Sequence, residues 1–200
     1  MSRIAIKWGG TIDKFIGDAI LIFFGDPIHQ GNSQDAISCV SMALEMLEKL
    51  EELRTIWRKR GLSRELNLRI GIHSGICTVG NFGSEDRLDY TVIGNSVNLA
   101  SRLESNAKKN TILISEDTYL LVKDKVKCES LEEISVKGIS YPIQTYSVKG
   151  FFKEKEESKE FLAEKIPGLN LSLYPSEIHN REAALKLLNN AINLIGNKKD

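Results

Sequence analysis

The chain has 200 residues, 42% hydrophobic and 27% charged, which suits one ordinary domain with a core and an appendage. Lys+Arg and Asp+Glu balance at 27 each, so neither a basic field for nucleic acid nor an acidic tail stands out. The longest apolar run, Ala19–Phe24, is far short of the roughly 20 residues a membrane span needs, and no signal peptide is visible.

Two strands, Thr11–Ile16 and Ala19–Phe24, are predicted around a tight turn at Gly17-Asp18, with Gly25-Asp26-Pro27 ending the second. A long amphipathic helix follows, from Ser33 to about Arg60. Ala36, Val40, Ala43, Leu47, Leu50 and Trp57 recur on one face, and Glu45, Glu48, Lys49, Glu52 and Lys59 lie opposite. Leu66–His73 alternates as a half-buried strand, Ile76–Phe82 reads as another, and Leu88–Ile93 as a third. A helix then runs to about Ala107 with Asn95 at its N-cap. A strand at Thr111–Ile114, a helix capped by Ser115 (Glu116–Val122) and strands near Glu133–Val136 and Ile143–Val148 complete the first 150 residues. Phe151–Lys165 is dense in Lys and Glu and reads as a charged linker; Asn180–Ile195 reads as a helix with an apolar face. Residues 151–200 hold too little core to fold alone, which makes them an appendage to domain 1–150.

Cys39, Cys77 and Cys128 suit reduced thiols in a cytoplasmic protein, and with His29, His73 and His179 they give no zinc pattern. Four other stretches stand out. Asp13-Lys14-Phe15-Ile16-Gly17-Asp18 puts a carboxylate in a turn, where Asp is at home structurally but is also exposed to a cation that prefers oxygen. Lys14 is either an edge-strand lysine or a hydrogen-bond donor, and Thr91 either a β-branched strand residue or a donor and acceptor. Asn98 and Arg102, spaced i, i+4, share one helix face, as solvated polar residues or as a ligand-facing pair. Arg69-Ile70-Gly71-Ile72-His73-Ser74-Gly75 is read as structural, and the glycines form no Walker loop or dinucleotide fingerprint.

In order and spacing these stretches, with Tyr90-Thr91-Val92-Ile93-Gly94-Asn95 and Val97-Asn98-Leu99-Ala100-Ser101-Arg102-Leu103-Glu104, resemble the catalytic domain of class III nucleotide cyclases from about Gly9 to Lys149. The resemblance implies an α+β fold: a ferredoxin-like palm, mostly antiparallel, with packed helices. It implies adenylate cyclase activity, ATP going to 3′,5′-cyclic AMP and pyrophosphate with two Mg²⁺ or Mn²⁺ ions. Carried over residue by residue, Asp18 is one of two metal carboxylates. Lys14 and Thr91 recognise adenine, Asn98 orients the ribose, and Arg102 stabilises charge on the α-phosphate. Lys137, in Val136-Lys137-Gly138, resembles a lysine that holds the triphosphate. The family's head-to-tail dimer would take Asp18 from one subunit and the other residues from its partner, as a homodimer or with a complete cyclase domain.

The family's first metal aspartate has no counterpart here, so the first strand and first helices are expected to be missing. That leaves open a second reading, a non-catalytic module that binds nucleotide or dimerises. A third, the diguanylate cyclase palm, matches only Gly9-Gly10-Thr11-Ile12-Asp13 and has no place for Asn98 and Arg102.

Overall fold

Three elements open the chain: helix α1 (Ser2–Lys7) and the hairpin strands β1 (Thr11–Ile16) and β2 (Ala19–Phe23). The computed structural model describes residues 1–62, 65–84, 86–135, 141–152, 162–174 and 177–196, which fall into two units, Met1–Phe152 and Lys153–Asp200. Helix α2 (Asn32–Lys59) is the spine of the first unit. It buries Ala36, Val40 and Ala43 against the sheet residues Ile72, Ile112 and Ile114. A second face, Met42 and Met46, packs on Ile4 and Ala5 of α1. The charged face expected to be solvated is thus partly occupied: Glu45 accepts hydrogen bonds from Lys7 Nζ and Trp8 Nε1, each at 2.7 Å. These bonds, with the charge of Lys7, hold its carboxyl below the usual range.

The main sheet has the order β3-β6-β8-β7, from β3 (Arg69–Ile72), β6 (Thr111–Ser115), β7 (Val126–Ser130) and β8 (Thr145–Phe151). β3 and β6 are parallel and the other neighbours antiparallel, in an α+β arrangement. β4 (Thr78–Ser84) and β5 (Arg87–Ile93) form a separate antiparallel ribbon. Helix α3 (Asn95–Asn106) lies on β3, burying Leu99 and Leu103. The approach is close enough that a Cβ on Gly71 would stand 2.1 Å from the Glu104 nitrogen and 2.4 Å from the Ala100 oxygen. Helix α4 (Glu116–Val122) begins as expected, with the Ser115 hydroxyl accepting from the Thr118 N–H.

Three local expectations are corrected. The strand beginning at Leu66 starts at Arg69, because the preceding residues spend their polar groups elsewhere. Buried Arg54 donates to the Leu66 carbonyl and the Asn67 side chain, and Leu68 N–H donates to Asn110 Oδ1. Gly94, not Asn95, is the N-cap of α3; its φ of 149° suits glycine, and its carbonyl accepts from Val97 N–H. Around Glu133 the described residues form one bridge, Ile134 with Ile143, and Val136 lies outside the described residues, whereas Val126–Ser130 forms the strand that periodicity missed.

In the second unit β9 (Leu162–Ile166) and β10 (Leu169–Leu173) pair antiparallel through a turn with Gly168 at φ 85°. Residues 162–165, expected as linker, are thus strand, and residues 153–161 of that expectation lie outside the described residues. Helix α5 (Arg181–Gly196) is N-capped by Asn180, whose Oδ1 accepts from Ala183 N–H.

Candidate active site

Gly17 and Asp18 are the two central residues of the β1–β2 turn, since Ile16 pairs with Ala19. Positive φ falls on Gly17 (62°) and not on Asp18, the pattern of a II′ turn with glycine first. The turn presents Asp18 exposed at the hairpin tip, with no hydrogen-bond or ion-pair partner among the described residues.

β1 does not run regularly into that turn. Ile12 pairs with Ile22 and Lys14 with Leu21, so Asp13 is an extra residue, a bulge. Neighbours in an unbroken strand point to opposite faces, and a bulge re-aims a side chain. The Asp13 side chain is 1% exposed; its Oδ2 accepts a 2.9 Å bond from Thr91 Oγ1 on β5. Its Oδ1 lies 3.7 Å from Lys14 Nζ, whose side chain is 46% exposed. Two residues remote in sequence, Lys14 and Thr91, are thereby brought to one carboxylate. β5 is further joined to the hairpin by Tyr90, whose hydroxyl donates to Asp26 Oδ1 and whose ring lies 6.5 Å from that of Phe23.

On α3, burial of Leu99 and Leu103 turns Asn98 and Arg102 to the exposed side. Neither side chain has a partner among the described residues, so Arg102 keeps its whole fork of donors free. No hydrogen bond or ion pair joins Asp18 to either of them. Lys137 lies outside the described residues. Two surface clefts, of 630 and 510 Å³, are lined by none of Lys14, Asp18, Thr91, Asn98 or Arg102; Lys14, Asp18, Asn98 and Arg102 stand on open surface, and Thr91 is buried beside Asp13. Around them Phe15, Ile16, Leu88 and Ile93 are exposed apolar side chains.

A hard divalent cation takes oxygen ligands, often one or two carboxylates completed by phosphate oxygens. Asp18 fits one such position. Among the described residues no group of three or more His, Cys, Asp or Glu could hold a metal ion unaided. Asp13 is the residue that pattern reading passed over as a ligand or contact. The available signal was a carboxylate inside an otherwise mostly apolar strand, directly before the lysine.

The fold is that of a nucleotide-cyclase type of domain, and residues 11–150 match the family described as "Adenylate and Guanylate cyclase catalytic domain". The chain belongs to that family. It is 52% identical to the adenylyl cyclase CyaB from P. aeruginosa, covering 74% of this chain and 75% of that one, with a TM-score of 0.72. The guanylyl cyclase Cya2 is 35% identical, with 78% and 77% covered and a TM-score of 0.71. Adenylate cyclase 1 of Rhizobium meliloti is 34% identical over 74% of this chain, which spans 22% of that relative's length. Among the described residues no helix is long and apolar enough to cross a membrane.

Proposed function

We propose that residues 1–150 form an adenylate cyclase domain, acting in the cytoplasm, that converts ATP to 3′,5′-cyclic AMP and pyrophosphate. The observation that carries this reading is the meeting of Lys14 and Thr91 at Asp13. A lysine only donates and a threonine hydroxyl can accept, which matches the acceptor N1 and donor N6 of adenine. Guanine presents the reverse pattern and would leave these groups unpaired, the kind of mismatch that gives strong discrimination.

Asn98 orients the ribose. Arg102, unpaired and exposed on the same helix face, neutralises charge that grows on the α-phosphate as the 3′-oxygen attacks. Lys137 holds the triphosphate. Asp18 would hold Mg²⁺ or Mn²⁺, which when bound neutralises phosphate charge and makes the ribose hydroxyl more acidic. Positioning and charge stabilisation are the protein's main contributions in such phosphoryl chemistry.

The residues assemble across a two-fold, head-to-tail dimer, with Asp18 facing the Lys14, Thr91, Asn98 and Arg102 set of a second domain. The open placement of Lys14, Asp18, Asn98 and Arg102 and the exposed Phe15, Ile16, Leu88 and Ile93 support that arrangement. The partner is a second copy or a complete cyclase domain; residues 151–200 are an appendage to the catalytic domain. That no group of three or more His, Cys, Asp or Glu among the described residues could hold a metal ion unaided favours one other reading, a nucleotide-binding module inactive by itself.

Formation of cyclic AMP by the purified chain with Mn²⁺ and ATP decides between them. Activity that Asp18→Ala abolishes supports the enzyme; none, alone or mixed with a complete domain lacking its own lysine and arginine, refutes it.

A further inference from the structure

We infer that Asp13 is a positioning residue for base selection, fixing Thr91 as a hydrogen-bond acceptor and steadying Lys14 as the donor beside it. The inference rests on the adenine-reading role proposed for Lys14 and Thr91. It goes further by naming what decides which way the Thr91 hydroxyl points.

A threonine hydroxyl has one proton and two lone pairs, and left free it can serve either purine. A carboxylate can only accept, so the 2.9 Å contact to Asp13 Oδ2 consumes the Thr91 proton. What remains toward a ligand is lone pairs, the complement of the adenine amino group and a mismatch for the guanine oxygen. The other oxygen, Oδ1, lies 3.7 Å from Lys14 Nζ, and Lys14 remains half-exposed toward solvent. Donor and acceptor are therefore set by one group.

Two independent features favour this role over incidental packing. The side chain is 1% exposed, which is unusual for Asp unless it is paired. It also sits on a bulge, an irregularity that interrupts the strand ladder to re-aim a side chain. In a regular β1, Asp13 and Lys14 would face opposite sides and could not cooperate.

Asp13→Asn is the isosteric test. An amide can turn its NH₂ to Thr91, which then accepts that bond and regains a proton to donate outward. Displacement of a fluorescent ATP analogue by ATP and by GTP, with Mn²⁺ present, reads the preference without requiring turnover. Asp13→Asn is expected to lower the ATP:GTP preference by about tenfold or more, the worth of one hydrogen bond to a charged or buried group. In a Thr91→Ala background the same change should have little further effect. An unchanged ratio in Asp13→Asn, or an equal shift with Thr91 absent, overturns the inference. If Thr91→Ala and Lys14→Ala alone leave the ratio unmoved, or the unaltered chain binds neither nucleotide, the adenine reading itself falls. Should Asp13→Asn not fold, the unaltered chain still gives a test by NMR. A slowly exchanging Thr91 hydroxyl proton is expected, and rapid exchange overturns the proposal.

Discussion

Replacing Gly71 by alanine probes the contact that holds α3, and with it Asn98 and Arg102, on the sheet. The added methyl would stand 2.1 Å from the Glu104 nitrogen, 2.4 Å from the Ala100 oxygen and 2.8 Å from the Glu104 Cα. All three are helix backbone, so no side chain can swing aside. To regain ordinary contact α3 must retreat by roughly 1 Å or more. That retreat disturbs the cluster of Leu99, Leu103, Ala107 and Leu113 beneath it. Overpacking of a well-filled interior costs about 1–3 kcal/mol, and a rigid backbone clash belongs at the top of that range. At about 3 kcal/mol, a chain of this size loses roughly 6–12 °C in Tm. Gly80→Ala is the control: the nearest atom to its methyl is Phe82 Cε2 at 3.8 Å, and φ needs no glycine. Its stability should stay within about 0.5 kcal/mol of the parent. Denaturant titration followed by circular dichroism measures both. Gly71→Ala as stable as Gly80→Ala would show that the helix is not seated as described.

Lys14→Glu combined with Thr91→Cys, measured by ATP and GTP competition, should move preference toward GTP; unchanged selectivity means the purine pocket is misplaced. Arg102→Ala should lower kcat by about 100-fold or more while ATP affinity changes little; an equal loss of ATP binding contradicts a transition-state role. His73, packed with a 2.8 Å contact from Nδ1 to Ser115 Oγ, is held below its ordinary value of 6.5 by burial, partly offset by the Asp117 carboxylate. The unfolded chain therefore takes up a proton more readily, and the His73 contribution to stability is present above pH 6.5 and lost as pH falls below it. The stability gap between the parent and His73→Gln should narrow on acidification in denaturant titrations, and a gap independent of pH refutes this.

The elements legible in the sequence were those with a strong local signal. The β1–β2 hairpin follows from Gly17 and Asp18, α2 from its apolar stripe, and the start of α4 from Ser115. What pattern reading missed depended on partners distant in the chain. Residues 66–68 carry a strand-like alternation, yet Arg54 and Asn110 capture their polar groups. α2 buries a second face because α1 covers it, and a six-residue helix gives little periodicity to find. At the candidate site, the motif resemblance to class III cyclases singled out Lys14, Asp18, Thr91, Asn98 and Arg102, where residue types and spacing alone left a structural role open for each. The bulge that buries Asp13 has no sequence mark, because it exists only where β1 is measured against β2.

The attachment of α1 gives the hairpin a mechanical linkage. Only three residues, Trp8, Gly9 and Gly10, separate α1 from β1, and Gly10 N–H bonds back to the Ala5 carbonyl at 2.9 Å. A Cβ on Gly10 would meet Ile22 Cγ2 at 2.8 Å and Phe24 Cζ at 3.0 Å, so this joint has no slack. With Lys7 and Trp8 clasping Glu45, α1 works as a short lever hinged on α2. A pull that breaks the clasp on Glu45 is delivered first to β1, the strand that bears Asp13 and Lys14 and leads into the turn holding Asp18.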